Sequence, residues 1–216
     1  MSIILIGGEK GGTGKSSIAT NLAALRALAG RDVLLVDTDV QASASFWVQT
    51  RDEAGVKPRV ACIQKFGNGL RAEVMDLAGR YQDILIDAGG RDSVELRAAL
   101  IVAEHAFIPI QASQFDVWTL SRVNELVKTA RSFNSGLLAY IVLSRISPNP
   151  SVTEQGEAEE VIRDFEDLEL AQSVIRDRIA YRKAARDGLC VAELRPADPK
   201  AVEEVRALFA EVFGNE

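Results

Sequence analysis

The sequence predicts an α/β fold: a doubly wound, mostly parallel sheet with helices on both faces. Three observations carry this expectation. Apolar runs recur along the chain and alternate with segments of helical periodicity, the pattern of strand–helix–strand crossovers. Several runs are nearly continuous Val, Ile and Leu, as strands covered on both faces require. A glycine-rich turn ending in Gly14-Lys15-Ser16 joins the first apolar run to the first helical pattern.

The elements follow in order. Ile3-Ile4-Leu5-Ile6 predicts a strand over residues 3–7. Ile18, Leu22, Leu25 and Leu28 recur at helical spacing and predict a helix over 15–29. Strands are expected at 33–37, 59–63, 83–87, 106–111, 138–144 and, more weakly patterned, 172–175. Pro109 within one of these runs marks a strand end or bulge. Helices are expected at 69–80, 93–103, 117–132, 153–165 and 199–213. Parallel strands joined by helices imply right-handed crossovers. No repeat or linker interrupts the pattern, so residues 1–216 read as one domain. The turn-rich Ser147-Pro148-Asn149-Pro150-Ser151 reads as a loop beside the carboxyl edge of the sheet.

Composition narrows the function classes. The 216 residues are 47% hydrophobic and 26% charged, ordinary for a globular chain that buries a sizeable core. No apolar run approaches the ~18 residues of a membrane span. Met1-Ser2 runs straight into the first strand, so no signal peptide is expected. Cys62 and Cys190 form neither a Cys-x-x-Cys pair nor a metal spacing, which points to reduced thiols in a cytoplasm. His105, the single histidine, opens an apolar stretch and reads as structural. The net charge of −6 argues against a surface uniformly attracted to nucleic acid but leaves room for a local basic face.

The chemistry concentrates in Gly8-Glu9-Lys10-Gly11-Gly12-Thr13-Gly14-Lys15-Ser16-Ser17. Glycines let successive backbone N–H groups converge on phosphate oxygens, and the following helix N-terminus adds partial positive charge. Gly11, Gly12, Thr13, Gly14, Lys15, Ser16 and Ser17 are the expected cradle. Lys15 is placed to reach the β- and γ-phosphates, and the Ser16 hydroxyl to hold Mg²⁺. The usual spacing has glycine where Glu9 stands. One lysine suffices to neutralise terminal phosphates, so Lys10 is free to point elsewhere.

In parallel α/β sheets, ligands bind at the carboxyl ends of the strands. Two apolar strands end there in aspartate: Val33-Leu34-Leu35-Val36 in Asp37-Thr38-Asp39, and Ile84-Leu85-Ile86 in Asp87. Asp87 fits the carboxylate that holds Mg²⁺ through water. Asp37 is then free to orient the water that attacks the γ-phosphate, and Asp39 to approach the metal or order its loop. Strand-end aspartates also cap turns and helices, and that reading stays open for all three.

Lys10 to Ser17, Asp37-Thr38-Asp39-Val40-Gln41 and Ile84 to Asp87 together resemble the deviant Walker-type, P-loop ATPases of the ParA/MinD superfamily. The lysine before the double glycine is that family's signature. The resemblance covers essentially the whole chain and looks closest to small plasmid-partition ParA proteins without an N-terminal DNA-binding extension. There are departures: Val40 replaces a frequent proline, and Ala88-Gly89-Gly90 replaces Thr-Pro-Pro or Thr-Pro-Gly. Ser144-Arg145 stands where an asparagine often contacts adenine.

The resemblance implies ATP and Mg²⁺ as cofactors and slow ATP hydrolysis, with Lys10, Lys15 and Asp37 as the catalytic groups. It implies a homodimer formed with ATP, in which Lys10 crosses to the partner's phosphates. It also implies non-specific DNA and a ParB-like centromere-binding or adaptor protein as partners. The expected role is partition of plasmid or chromosomal DNA, from a cytoplasmic location that is nucleoid-associated in the ATP state. Positioning of a protein compartment is the alternative with the same chemistry. Gln111, Ser113 and Asp116 become candidates for the dimer face, and Arg91 for an arginine near the hydrolytic centre. Trp47 and Trp118 read as packing residues.

Residues 176–187 carry five basic and two acidic side chains, the basic concentration of this acidic chain. Arg178, Arg182 and Arg186 are spaced by four and, with Lys183, form the candidate DNA contact if the segment is helical. A solvated or ion-paired face is the competing reading. A MinD-like membrane switch needs a basic amphipathic C-terminal helix. Residues 199–213 are amphipathic, but Glu203, Glu204 and Glu211 make the polar face acidic, so packing on the sheet is expected and membrane binding is not. An ATP-dependent ligase of the same fold is the remaining rival; an iron–sulfur carrier is disfavoured by the missing Cys-x-x-Cys.

Overall fold

The computed structural model describes residues 1–90, 92–111, 117–148 and 154–214. Seven strands make one sheet: β1 (Ser2–Ile6), β2 (Val33–Asp37), β3 (Ala61–Gln64), β4 (Asp83–Asp87), β5 (His105–Ile110), β6 (Leu138–Ile146) and β7 (Glu169–Arg176). Their order is β3-β2-β4-β1-β5-β6-β7, and every neighbouring pair is parallel. The sheet is thus wholly parallel.

Side chains alternate between two cores because successive residues of a strand face opposite ways. Ile4, Ile6, Val33, Leu35 and Leu85 enter one core, covered by α1 (Lys15–Leu28), α2 (Ser43–Glu53), α7 (Ile179–Arg186) and α8 (Pro199–Phe213). Ile3, Leu5, Leu34, Val36, Ile84 and Ile86 enter the other. That core is covered chiefly by α3 (Leu70–Leu77), α4 (Val94–Val102) and α5 (Val117–Arg131), with Ile162 of α6 (Glu154–Ile162) at its edge. At the amino end of the sheet Arg26 of α1 donates to Asp83 at 2.7 Å, both side chains buried. That aspartate is a structural partner, at the opposite end from Asp37 and Asp87.

The pattern of apolar runs misses two helices. In α2 the buried positions are Ala44, Trp47, Val48 and Arg51, a true helical spacing. Alanine and arginine hold two of the four places, so no apolar stripe shows in the sequence. In α7 only Ala180, Tyr181 and Ala184 are buried, and charge hides the period. The third strand lies two residues later than expected at its start, and β7 is longer at both ends.

The acidic C-terminal helix packs as expected. Asp198 accepts from the Lys200 and Ala201 amides as an N-cap, and Pro199 opens the first turn. Ala201, Val205, Leu208 and Val212 are buried. Two of its carboxylates cap the outer edge of β7: Glu211 accepts from the Gln172 and Ser173 amides, and Glu204 from the Arg176 amide. An exposed sheet edge is thereby closed to further strands.

Candidate functional site

The loop after β1 turns into α1 at Lys15. Lys15 is buried, and its Nζ donates to the Lys10 carbonyl at 2.7 Å. Burial lowers its pKa, against the opposing charges of Asp87 and Asp39. Lys10 is exposed. The apex of the loop is held from two strands: the Gly12 carbonyl accepts from Gln111 Nε2 at 2.8 Å and from Arg145 Nη1 at 2.7 Å. Its base is held from α5, where Arg122 meets Glu9 at 2.9 Å. This accounts for Glu9 in place of glycine, since the carboxylate has a partner waiting.

Parallel pairing of β2 with β4 sets Asp37 directly opposite Asp87, and Ile6 of β1 flanks Asp87 on its other side. Asp87 is fully buried and its Oδ2 has no hydrogen-bond partner. Burial raises its pKa to about 7; a hydrogen bond from Ser16 opposes the rise, and the nearby Asp37 charge adds to it. A buried carboxylate with one unpartnered oxygen beside a serine hydroxyl fits a divalent cation. Among the described residues no group of three or more His, Cys, Asp or Glu side chains can hold a metal by itself. Magnesium in nucleotide sites takes one or two protein ligands and completes its shell with phosphate oxygens and water.

Asp37 is also fully buried, but its oxygens are engaged. Oδ2 accepts from the Ser45 amide and hydroxyl, both at 2.8 Å, and Oδ1 from the Asp39 amide at 3.1 Å. Asp37 therefore ties the end of β2 to the first turn of α2. Asp39 accepts from the Gln41 amide and turns its carboxylate toward Gly89. Thr38 fastens the two strand ends together through the Asp87 carbonyl. The departure at Ala88-Gly89-Gly90 has a steric reason. A Cβ on Gly90 would lie 2.9 Å from the Gly11 backbone, so only glycine lets this segment touch the phosphate loop.

Above the buried Asp37 and Asp87 lies a trough of about 750 Å³, lined by Gly11, Gly12, Gly14, Lys15, Ser16, Ser17, Asp39 and Gly90 with Phe46 and Trp47 of α2 and Arg186 of α7. Thr13 is buried, with an unpartnered hydroxyl. A slot of about 170 Å³ continues from Gly14 and Ser17 past Ser144 and Arg145 to Asp177, Tyr181 and Arg182. The sequence reading placed Ser144-Arg145 at the usual base-contact position but gave Arg145 no contact with the phosphate loop, and it missed α2 as a rim of the trough. The pair Ser144-Arg145 at a strand's carboxyl end was the available signal; nothing in the sequence marked α2.

The basic row is rearranged. Arg178 precedes α7 and is drawn inward to Glu204, at 2.7 Å, with only 15% of its side chain exposed. It leaves the candidate DNA face, because Glu204 holds it together with Arg176. Arg182, Lys183 and Arg186 are exposed on α7. Trp47 packs as expected, donating to the Leu189 carbonyl. Trp118 does not: it is 64% exposed, with the Arg122 guanidinium over its ring. Arg91, Ser113 and Asp116 lie outside the described residues.

Comparison with known proteins agrees with this geometry. Residues 4–191 match the family described as the CobQ/CobB/MinD/ParA nucleotide binding domain. Two proteins named Maintenance of carboxysome distribution protein A are similar over most of the chain. That of Gloeobacter kilaueensis is 30% identical over 203 residues, covering 93% of this chain and 88% of its own. That of Halothiobacillus neapolitanus is 26% identical over 208 residues, covering 94% and 93%. The chromosome-partitioning ATPase Soj of Thermus thermophilus is 27% identical over 241 aligned positions, covering 97% and 94%. Among solved structures, the Pyrococcus furiosus cell division ATPase MinD superposes with a TM-score of 0.76, at 21% identity and 98% coverage of both chains. An ATP complex of a Cyanothece McdA variant superposes with a TM-score of 0.79, at 18% identity, covering 100% of this chain and 97% of that one. At these identities the two structures speak to the fold.

Proposed function

Because the chain belongs to the CobQ/CobB/MinD/ParA nucleotide-binding family, we propose that it is a magnesium-dependent ATPase whose terminal phosphate switches two copies between paired and separate states. The observation that carries this reading is the arrangement at the ends of β1, β2 and β4. A buried lysine rests on its own loop, a second lysine stands exposed beside it, and a buried carboxylate keeps one oxygen unpartnered.

Lys15 exchanges the Lys10 carbonyl for the β- and γ-phosphates, which offset its buried charge. Ser16 and Asp87 are the groups that would hold Mg²⁺, which when bound would neutralise charge on the phosphate oxygens. Asp37 polarises the attacking water. Because Asp37 also holds Ser45, the first turn of α2 is the element that registers hydrolysis. Lys10 reaches the phosphates of a second copy, so that pairing depends on the γ-phosphate.

Pairing doubles the exposed Arg182, Lys183 and Arg186, and thereby turns on weak, sequence-independent binding to DNA. The relatives' names share the positioning of a large cargo, carboxysomes in two cases and chromosomes in one. We place this chain with them as a positioning ATPase, its cargo chosen by an adaptor; a protein compartment fits two of the three names. The buried apolar stripe of α8 supports a role in which this helix packs on the sheet and does not insert in a membrane.

Sedimentation with Mg²⁺ and ATP, ADP or no nucleotide, each with and without duplex DNA, tests the reading. A dimer with ATP alone is expected, and DNA binding only for that dimer. Lys10→Ala should keep ATP binding and remain monomeric, whereas Lys15→Ala should lose nucleotide. A Lys10→Ala variant that still dimerises with ATP refutes the crossing role.

A further inference from the structure

The phosphate trough and the adjoining slot share three lining residues: Gly14, Ser17 and Arg145. A nucleotide with its terminal phosphates in the trough and its base in the slot must pass its α-phosphate and ribose through that junction. Arg145 is the charged side chain among the three. Its bond to the Gly12 carbonyl uses one of five guanidinium donors.

Two further features at the end of β6 point the same way. Arg145 sits at a bulge of β6 and holds a left-handed backbone (φ 55°), uncommon for a residue that carries a side chain. The neighbouring Ser144 hydroxyl is buried without a partner and faces Gly14, where an added Cβ would lie 3.0 Å from its oxygen. The bulge turns Arg145 onto both cavities, and an unmatched buried hydroxyl beside it, pressed against a phosphate loop, makes sense where a ligand supplies the missing acceptor.

We propose that Arg145 is a phosphate ligand at this junction, binding the α-phosphate that nucleoside di- and triphosphates have in common. The inference rests on the nucleotide reading above. In the free protein the guanidinium rests on Gly12, as Lys15 rests on Lys10; nucleotide binding moves both cations from loop carbonyls to phosphate oxygens. Because the α-phosphate survives hydrolysis, Arg145 holds substrate and product alike and takes no part in the γ-phosphate switch.

Equilibrium titration with fluorescent analogues of ATP and ADP, in the presence of Mg²⁺, tests this on the full chain. Arg145→Gly is the variant of choice, since glycine accepts the left-handed backbone without strain. Loss of a charged hydrogen bond predicts affinity falling about 10- to 100-fold, by the same factor for both nucleotides. Arg145→Lys should recover part of the loss. Gln111→Ala removes the other donor to Gly12 and reports a pure bracing role; its loss should stay below about threefold. Wild-type affinity in Arg145→Gly, or equal losses in Arg145→Gly and Gln111→Ala, overturns the assignment. So does a loss confined to ATP. Lys15→Ala separates the two levels of failure. If wild type binds and Lys15→Ala does not, an unaffected Arg145→Gly sinks this inference alone; if wild type binds neither nucleotide, the nucleotide reading falls and takes this one with it.

Discussion

Asp87→Asn should make the nucleotide-free protein more stable, by an amount that grows with pH. Asp87 is fully buried, and burial raises its pKa from 3.8 to about 7. Between those values the folded chain keeps a proton that the unfolded chain has released. Stability contributed by this group is therefore present below pH 4 and lost as pH rises toward 7 and beyond. Each pH unit between the two values is worth about 1.4 kcal/mol, so the full penalty has a ceiling of about 4 kcal/mol. Asparagine has nearly the same shape, can still accept from Ser16, and carries no charge to bury. Urea unfolding in EDTA, without nucleotide, from pH 5 to pH 8 measures the difference between variant and wild type. The gap should already be about 1.6 kcal/mol at pH 5 and approach the ceiling at pH 8. Magnesium and ATP should reverse the ranking, because only wild type gains the stability of ligand binding. A gap that does not change with pH, or a variant less stable at pH 8, refutes the account of Asp87 as a carboxylate ionised against its environment.

Four other outcomes follow from the geometry. Arg51 is fully buried and donates to the Pro58 and Gly188 carbonyls and to both oxygens of Glu193; Glu193→Gln should cost about 3–5 kcal/mol in denaturant unfolding by stranding that charge. Gly188→Ala should cost about 3 kcal/mol or more, since its Cβ would sit 2.4 Å from the Arg51 nitrogen at a φ of 66°, and the melting temperature should drop by about 10 °C. The charge-reversal pair Arg182→Glu and Arg186→Glu should flatten the salt dependence of DNA binding by about one unit of slope per lost phosphate contact, read by anisotropy at several salt concentrations. By contrast, Arg178→Ala should lower stability by about 1–2 kcal/mol and leave the slope unchanged, because Arg178 is spent on Glu204.

The strands were legible because a sheet covered on both sides demands unbroken apolar runs, and β1, β2 and β4 are nearly pure Val, Ile and Leu. Their aspartate ends were legible for the converse reason: a carboxylate ending such a run is out of place without a role. Helix α2 was not legible, because its core stripe is filled by Ala44 and Arg51 alongside Trp47 and Val48. An arginine counts as core only when carbonyls such as those of Pro58 and the distant Gly188, with Glu193, surround it, and no apolar pattern reveals such partners. The arginines of residues 176–187 looked alike for the same reason. Glu204, far along the chain, claims Arg178 and leaves Arg182 exposed.

From the chain of letters alone came the parallel fold, the phosphate loop and the two aspartates, since each depends on residues adjacent in sequence. Only the folded molecule decided that Asp37 is bound to Ser45 while Asp87 keeps an oxygen free, and that Arg145 bridges trough and slot. Those outcomes depend on which donors packing brings to each group: Ser45 reaches Asp37 only because α2 folds back over the end of β2, and Arg145 reaches Gly12 from a strand far along the chain.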